Sequence, residues 1–393
     1  MSFFADDKIN FEILKKRAFN GRWADMADGV IPLTSADPDF PVAPEIKQAL
    51  IEYINGGYFS YVPPTGLPEF GGCLARCLKE RKNEIIDENL VLPVDSAASA
   101  MASIARSFLK PGDEMICFDP CDFLFREAAL CAGATPIFFP AKLKGSHIDL
   151  SDLEAYITPK TKMLGLCNPH NPYGVLYTRE DLEHIMSLCE KYDIMIMNDE
   201  IWSDITYSEE KFLSILTLGA ERCSRVLSVF GYSKSFGLAG LRIGAIYATD
   251  KDNFEKVVES SHVLSTVGGA TSLSQIGAMA AMDRCYYWVD EFIKHLQGNR
   301  DYALNRLNKM PGITCHRPAG TYLLFPNVSS YGMTSLDFVN TICEKTKVKL
   351  VPGGHRFFGD LSEGYIRICF ATGRGVLTEG LDRLEAGLEF LNK

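Results

Sequence analysis

The segment SVFGYSKSFGLAGLRIG, which runs from Ser228 to Gly244, places a lysine and an arginine among small residues after an apolar run. Lys234 follows the run RVLSVF, with three residues between them. Two further polar residues hold equivalent positions, because Asn171 follows KMLGLC and Asp199 closes DIMIMND. Ligands of an open parallel sheet bind outside the carboxyl ends of its strands. The pattern therefore predicts that an amine, a carboxylate and an amide converge on one crevice.

These three groups fit the chemistry of pyridoxal phosphate. A lysine can hold this cofactor as a Schiff base, an aspartate can keep the pyridine nitrogen protonated, and an amide can hydrogen-bond the ring oxygen. The protonated ring is then an electron sink for the substrate carbanion, and a buried carboxylate favours that charge. The phosphate needs donors, which the segment DSAASAMASIARSF predicts at a helix start formed by Ser96, Ala97 and Ala98. Arg242 can add a bidentate contact.

The elements that must position these residues can be predicted from periodicity. Apolar runs such as EMICF, TPIFF, DIMIMND and GAIYA alternate with helix-like stretches such as SAASAMASIARSFL and REDLEHIMSLCEKY. This alternation predicts an α/β fold with a mainly parallel sheet sandwiched by helices. After about residue 285 the pattern changes to a long polar helix followed by short strands and an amphipathic helix. This change predicts a smaller α+β domain. We therefore predict an N-terminal segment (1–47) that packs on the small domain, a large cofactor-binding domain (48–285) and a small C-terminal domain (286–393).

Composition narrows the class of protein. The chain has 393 residues, 47% hydrophobic content and a formal net charge of -10, which argues against nucleic acid or an anionic membrane as a partner. No apolar run approaches membrane-spanning length and the first residues do not resemble a signal peptide, so a cytoplasmic location is expected. The twelve cysteines are expected to be buried thiols, and their spacing predicts no metal site.

The motifs NPHNPYG, NDEIWSD, SKSFGLAGLRIG and GYIRICF occur together in this order. In this combination the chain resembles the fold-type I, pyridoxal-phosphate-dependent class I/II aminotransferases and their relatives, the carbon-sulfur β-lyases of the cystathionine β-lyase type. The resemblance covers nearly the whole chain. It implies a homodimer, since Tyr61 in YFSYVPPTGLPEF matches the tyrosine that reaches the phosphate of the neighbouring subunit.

The resemblance also implies roles for single residues. Lys234 matches the Schiff-base lysine, Asp199 the partner of the pyridine nitrogen and Asn171 the partner of the ring oxygen. Arg367 in GYIRICF matches the arginine that clamps the substrate α-carboxylate, a task suited to a planar bidentate donor. The matched phosphate ligands are Ser233 and Arg242, alongside the helix start Ser96, Ala97 and Ala98.

Four positions depart from the family pattern. Trp202 replaces the tyrosine or histidine that usually bonds the ring oxygen, and an indole N–H can donate but cannot ionise. The aromatic residue that stacks on the ring usually follows a proline by two residues; Asp122 holds that place, so Phe123 is predicted to stack instead. Gly231 stands where many relatives carry a hydroxyl side chain that binds the phosphate. Ala36 stands where a glycine usually lies near the substrate carboxylate.

The chain combines sequence features of the aminotransferases with those of the carbon-sulfur lyases. Its N-terminal region and its NPHNP turn are similar to those of the carbon-sulfur lyases, whereas SKSFGLAGLRIG with its arginine is more similar to the aminotransferases. We therefore favour transfer of an amino group from an L-amino acid to a 2-keto acid, with β-elimination of a thiol as the alternative. Arg356 could serve a dicarboxylic substrate or face solvent, and the aromatic-rich stretches equally permit an aromatic or thioether substrate.

Overall fold

The computed structural model describes residues 3–209, 211–265 and 268–391. The strands are β1 Ile31–Pro32, β2 Val91–Val94, β3 Glu114–Asp119, β4 Thr135–Pro140, β5 Leu143–Lys144, β6 His147–Ile148, β7 Thr161–Cys167, β8 Met195–Asp199, β9 Val226–Gly231, β10 Gly244–Ala248, β11 Leu323–Leu324, β12 Val348–Lys349, β13 Val351–Pro352 and β14 Ile366–Cys369. The helices are α1 Phe11–Arg17, α2 Pro44–Gly56, α3 Pro68–Lys82, α4 Ala97–Phe108, α5 Leu124–Cys131, α6 Arg179–Lys191, α7 Tyr232–Ser235, α8 Lys251–Ser260, α9 Ser272–Arg284, α10 Tyr286–Leu307, α11 Ser335–Thr346 and α12 Arg374–Leu391.

Local sequence signals explain where several helices begin. Thr178 caps α6 by accepting from the Asp181 amide, and the Asp181 carboxylate accepts from the Thr178 amide in return. This reciprocal pair is a capping box. Ser96 caps α4 by accepting from the Ser99 amide at 3.1 Å. The proline at the start of α2 and of α3 lacks an N–H that the first helical turn would leave unpaired anyway.

The central sheet has the order β2-β10-β9-β8-β7-β3-β4. Strand β10 is antiparallel to both of its neighbours, and the other pairs are parallel. In the parallel register Cys167 lies opposite Asp199, and Asp199 lies opposite Val229, so β7, β8 and β9 end at one edge of the sheet. This arrangement confirms the predicted α/β fold with a mainly parallel sheet.

Helices cover the sheet and exclude water from it. Helix α4 packs against β8, β9 and β10, whereas α5 packs against β3 and β4. Every residue of β9 is buried, as expected for a strand in the middle of a sheet that is covered on both faces. Helices α2, α3 and α9 pack together.

A smaller sheet, with the order β11-β14-β13, lies in the C-terminal part of the chain with α11 and α12. The N-terminal segment returns to this part, because β1 pairs in parallel with β12. A buried ion pair between Arg22 and Asp39, and a bond from the Asp39 amide to the Ala371 carbonyl at 3.0 Å, hold the segment in place. The domain limits at residues 47 and 285 stay predictions.

The described residues contain no membrane-spanning helix, no metal-binding cluster and no disulfide. None of their helices has both the length and the apolar content needed to cross a membrane. No group of three or more His, Cys, Asp or Glu side chains among them is placed to hold a metal ion. All twelve cysteines, which lie within the described ranges, are free thiols.

Candidate active site

A cavity of about 720 Å³ opens at the carboxyl ends of β7, β8 and β9. The N-terminal segment, the start of α4, β13 and β14 complete its walls. The predicted site residues that line it are Ala36, Ser96, Ala97, Ala98, Phe123, Asn171, Asp199, Trp202, Ser233, Lys234, Arg242 and Arg367. Tyr61 does not line the cavity of its own chain.

Lys234 lies in α7, directly after β9, and its side chain is half-buried. Its Nζ donates to the Ala36 carbonyl at 2.8 Å and lies 5.4 Å from the centre of a Trp202 ring. Burial lowers the pKa of Lys234, although the nearby Asp37 carboxylate opposes this shift. A desolvated lysine is a stronger candidate for a nucleophile and a base because more of it is neutral at ordinary pH.

Asp199 is the last residue of β8 and is buried. Its Oδ1 accepts from the Ile201 amide at 3.0 Å. Burial raises the pKa of Asp199 to about 7, and the Asp122 carboxylate contributes in the same direction. Within the described part of the chain, the groups with the largest influence on Asp199 are the Ile201 amide and the acidic side chains of Asp122, Cys121 and Glu200, and none of these is a cation. A protonated pyridine nitrogen would supply the missing positive charge, so the cofactor fits this position.

Asn171 and Arg367 meet in the cavity from opposite parts of the chain. The Asn171 Nδ2 donates to Asp122 Oδ2 at 2.7 Å, and its Oδ1 accepts from Arg367 Nη1 at 3.4 Å. The Arg367 guanidinium also lies over the Phe358 ring, 5.0 Å from its centre. Its buried Nε finds no hydrogen-bond partner in the part of the chain that the structure describes. An incoming carboxylate would satisfy this donor.

The start of α4 forms a cradle for an anion. The first amides of a helix have no acceptor within the helix, and those of Ala97 and Ala98 face the cavity end of α4. Gly244 lets the backbones approach, since a Cβ there would lie 3.0 Å from the Ala97 nitrogen. Arg242 lines the same cavity from a left-handed backbone conformation with φ of 53°. A phosphate fits between these donors and this cation.

Trp202 occupies the place next to the lysine. Its buried ring packs edge-on against Tyr322 with 4.7 Å between ring centres, and the Tyr322 hydroxyl donates to the Ala36 carbonyl at 3.2 Å. Phe123 and Asp122 both line the cavity, but the Asp122 carboxylate is bonded to an amide, whereas the Phe123 ring is 39% exposed. That Phe123 stacks on the cofactor ring stays a prediction.

Sequence reasoning missed the carboxylate of Asp37. Burial raises the pKa of Asp37, and the charge of Lys234 opposes that rise. The residue follows Ala36 in SADPDFP, so its position beside a predicted site residue was the available signal. Nothing in the local pattern indicates that it approaches Lys234, because the contact depends on how the N-terminal segment packs.

Tyr61 is 96% exposed. Other large apolar side chains from α2 and the segment after it are also exposed: Ile51, Ile54, Tyr58 and Phe59. Exposed apolar groups in one region are a feature of interaction surfaces. The region is therefore suited to contact with another protein chain.

A model of the family described as aminotransferase class I and II matches residues 28–384. The chain belongs to this family. It is 32% identical to the aspartate aminotransferase of Pyrococcus abyssi, with 91% of each chain covered, and 30% identical to aromatic-amino-acid aminotransferase 2 of Thermococcus litoralis, with 92% of each covered. The solved aromatic aminotransferase of Pyrococcus horikoshii OT3 is 28% identical over 93% of this chain and 98% of its own, with a TM-score of 0.86.

The protein is a pyridoxal-phosphate-dependent aminotransferase of fold type I, as the resemblance in the sequence predicts. The β-lyase alternative is not favoured, because the relatives named above are aminotransferases. Cystalysin of Treponema denticola, whose structure contains pyridoxal 5'-phosphate, aligns over 99% of each chain with a TM-score of 0.90. At 24% identity this likeness concerns the fold alone.

Proposed function

We propose that the cavity transfers amino groups with Lys234 as cofactor anchor and proton carrier, while Asp199, Asn171 and Arg367 hold the cofactor and the substrate. The observation that carries this proposal is the convergence of an amine, a carboxylate and a guanidinium on one cavity, each with a pKa shifted by burial. Pyridoxal phosphate, when bound, supplies a conjugated ring that takes up the electron pair left by the departing α-proton.

Lys234 acts through its Nζ. Because burial lowers its pKa, the amine is more often neutral than a surface lysine and can accept a proton. With cofactor and substrate bound, Nζ is the group that would remove the α-proton and hold it for return. The Ala36 carbonyl, 2.8 Å away, keeps this amine pointed into the cavity between events.

Asp199 and the start of α4 hold opposite ends of the cofactor. Asp199 supplies a buried negative charge for the ring nitrogen, and the Ile201 amide fixes the orientation of its carboxylate. Ala97, Ala98 and Arg242 supply amides and a cation for the phosphate, with Ser233 nearby in the cavity wall. The Asn171 amide retains a hydrogen for the ring oxygen.

Arg367 binds the substrate α-carboxylate. Its guanidinium offers a planar pair of donors, one of them the unpartnered Nε. Asn171 contacts the adjacent Nη1 and thereby orients the plane. A carboxylate fixed there would present the α-carbon to Lys234 across the cavity.

The substrate side chain carries a second carboxylate in this proposal. Two more cations, Lys349 and Arg356, line the cavity on the side of β12 and β13. The backbone carbonyl of Arg356 accepts from Arg126 Nη2 at 3.4 Å, and its guanidinium lies 5.1 Å from the centre of the Phe357 ring. Within the described residues, Arg356 has no ion pair with a carboxylate. Its charge is thus available to an acidic substrate.

Replacing Arg356 with alanine should weaken the use of aspartate and glutamate but spare alanine and phenylalanine. Loss of one charged contact predicts an increase in KM of about tenfold or more for the acidic donors. The measurement is the initial rate of keto acid release at a fixed concentration of a 2-keto acid acceptor and at several donor concentrations. Arg179→Ala, which removes an exposed arginine of α6, is the control. Equal losses for all four donors, or none, would contradict an acidic substrate.

We further infer that two copies of the chain form a homodimer in which Tyr61 of each serves the cavity of the other. The support is that Tyr61 is nearly fully exposed, does not line its own cavity and lies among exposed apolar side chains. A closed two-fold dimer is the commonest symmetric assembly and would cover this surface on both chains.

Mixing two inactive variants should restore activity if sites are shared. Tyr61→Ala and Lys234→Ala are each expected to be inactive alone. A hybrid dimer then carries one cavity with both an intact Lys234 and an intact Tyr61, so random mixing after unfolding and refolding predicts about a quarter of wild-type activity. Sedimentation velocity measures the assembly. A monomer, or a mixture as inactive as its parents, would rule out the shared site.

A further inference from the structure

Asp122 is an unexpected carboxylate at the centre of the cavity. It stands two residues after Pro120, where the sequence resemblance leads us to expect an aromatic ring. Its Oδ2 accepts from Asn171 Nδ2 at 2.7 Å, and its Oδ1 accepts from the Leu124 amide at 3.1 Å. Both carboxylate oxygens are therefore engaged, and the side chain is held in one orientation.

This carboxylate determines which way the Asn171 amide points. Asp122 can only accept when it is ionised, so it must face the NH₂ group of Asn171. The amide oxygen of Asn171 is then left for Arg367, whose Nη1 lies 3.4 Å away. A chain of carboxylate, amide and guanidinium thus runs across the cavity and orients the arginine.

The charge of Asp122 also acts on the lysine. The side chains with the largest electrostatic influence on Lys234 are those of Asp37, Arg367, Asp122 and Cys369. Burial lowers the pKa of Lys234, while the carboxylates of Asp37 and Asp122 work against that shift. Asp122 likewise raises the pKa of Arg367 against the effect of burial.

The Asp122 carboxylate, which is the negative end of this chain of contacts, also influences the acidic side chain of Asp199. Burial raises the pKa of Asp199, with added contributions from Asp122 and Cys121. Trp202, whose ring centre lies 5.4 Å from Lys234 Nζ, carries no ionisable group. Among the described residues, the charged groups bonded to the Asn171 side chain are the Asp122 carboxylate and the Arg367 guanidinium, and the carboxylate is the acidic one.

We propose that Asp122 is a positioning residue: its carboxylate orients Asn171 and Arg367 and supplies a negative charge to the cavity that Lys234 also lines. The inference rests on the proposed function of Lys234 as the anchor.

The test is a pH titration of the absorbance of the cofactor-loaded enzyme, which follows the protonation of the lysine nitrogen. Asp122→Asn has nearly the same shape but no charge, and Asp122→Ala removes the acceptor as well. Both should shift the midpoint of the titration to lower pH by about one unit, because a nearby negative charge stabilises a cation. Glu127→Gln, an equal charge change at an exposed position of α5, should leave the midpoint in place.

The two Asp122 variants should differ in substrate binding. Asp122→Asn can still accept a hydrogen bond from Asn171, so its KM for the donor should change less than that of Asp122→Ala. Midpoints equal to wild type in both variants would overturn the inference. Borohydride reduction and peptide mass analysis of the wild type separately identify the anchor: cofactor on a lysine other than Lys234 would refute the proposed function itself.

Discussion

Replacing Lys234 with alanine is expected to abolish amino-group transfer while leaving a cavity that still binds pyridoxal phosphate non-covalently. The variant loses both the covalent anchor and the base, so the rate should fall by at least about 10⁴-fold. Asp199 and the start of α4 remain to hold the two ends of the cofactor. Two measurements check this result: turnover with an excess of donor and acceptor, and the mass of the borohydride-reduced protein.

Controls separate the loss of the amine from general damage. Lys256→Ala removes an exposed lysine of α8 that does not line the cavity and should behave as the wild type. Lys234→Arg keeps a positive charge near the Ala36 carbonyl but cannot form the covalent link, so it should be as inactive as the alanine variant. Reduced cofactor still attached to the alanine variant, or turnover near that of the wild type, would exclude Lys234 as the anchor.

Replacing Arg367 with alanine should raise KM steeply for every amino acid. Truncating one partner of a buried, hydrogen-bonded charge pair costs about 2 to 5 kcal/mol, which corresponds to at least about 30-fold weaker binding. The other two arginines that line the cavity, Arg242 and Arg356, are expected to bind the cofactor phosphate and the substrate side chain, so neither should replace Arg367. Initial rates over a wide range of donor concentrations measure the effect, and kcat should change less than KM.

Two comparisons make this second prediction specific. Arg367→Lys keeps the charge but loses the paired donors, so it should recover little of the lost affinity. A primary amine without a carboxylate should react equally slowly with the wild type and with the alanine variant. If the alanine variant keeps the wild-type KM, the substrate carboxylate binds elsewhere.

Much of the fold followed from patterns of a few residues. The apolar runs EMICF, TPIFF and KMLGLC became β3, β4 and β7, and the stretch REDLEHIMSLCEKY became α6. Hydrophobic periodicity and helix capping involve residues that are close together in the sequence, so they can be recognised without the tertiary structure. The short hairpin of β5 and β6 was not predicted, since strands of two residues carry almost no periodic signal.

The candidate site, like the fold, could be predicted only in part from the sequence. Asn171, Asp199 and Lys234 were placed together from the sequence because parallel strands bring their carboxyl ends to one edge. Arg367 was assigned by resemblance, and the structure brings it to the same cavity. The bond from Asn171 to Asp122 and the influence of Lys234 on Asp37 could not be predicted, because each joins segments that are distant in the sequence.

The sequence by itself determined the alternation of the main strands and helices, the polar residues at or just after the ends of three central strands and the family to which the chain belongs. The tertiary structure decided which groups face one another. Lys234 contacts Ala36 across 198 residues of sequence, and Asn171 contacts Arg367 across 196. Such contacts arise when separate hydrophobic surfaces pack, and the charges they bring together change the pKa values on which the chemistry depends.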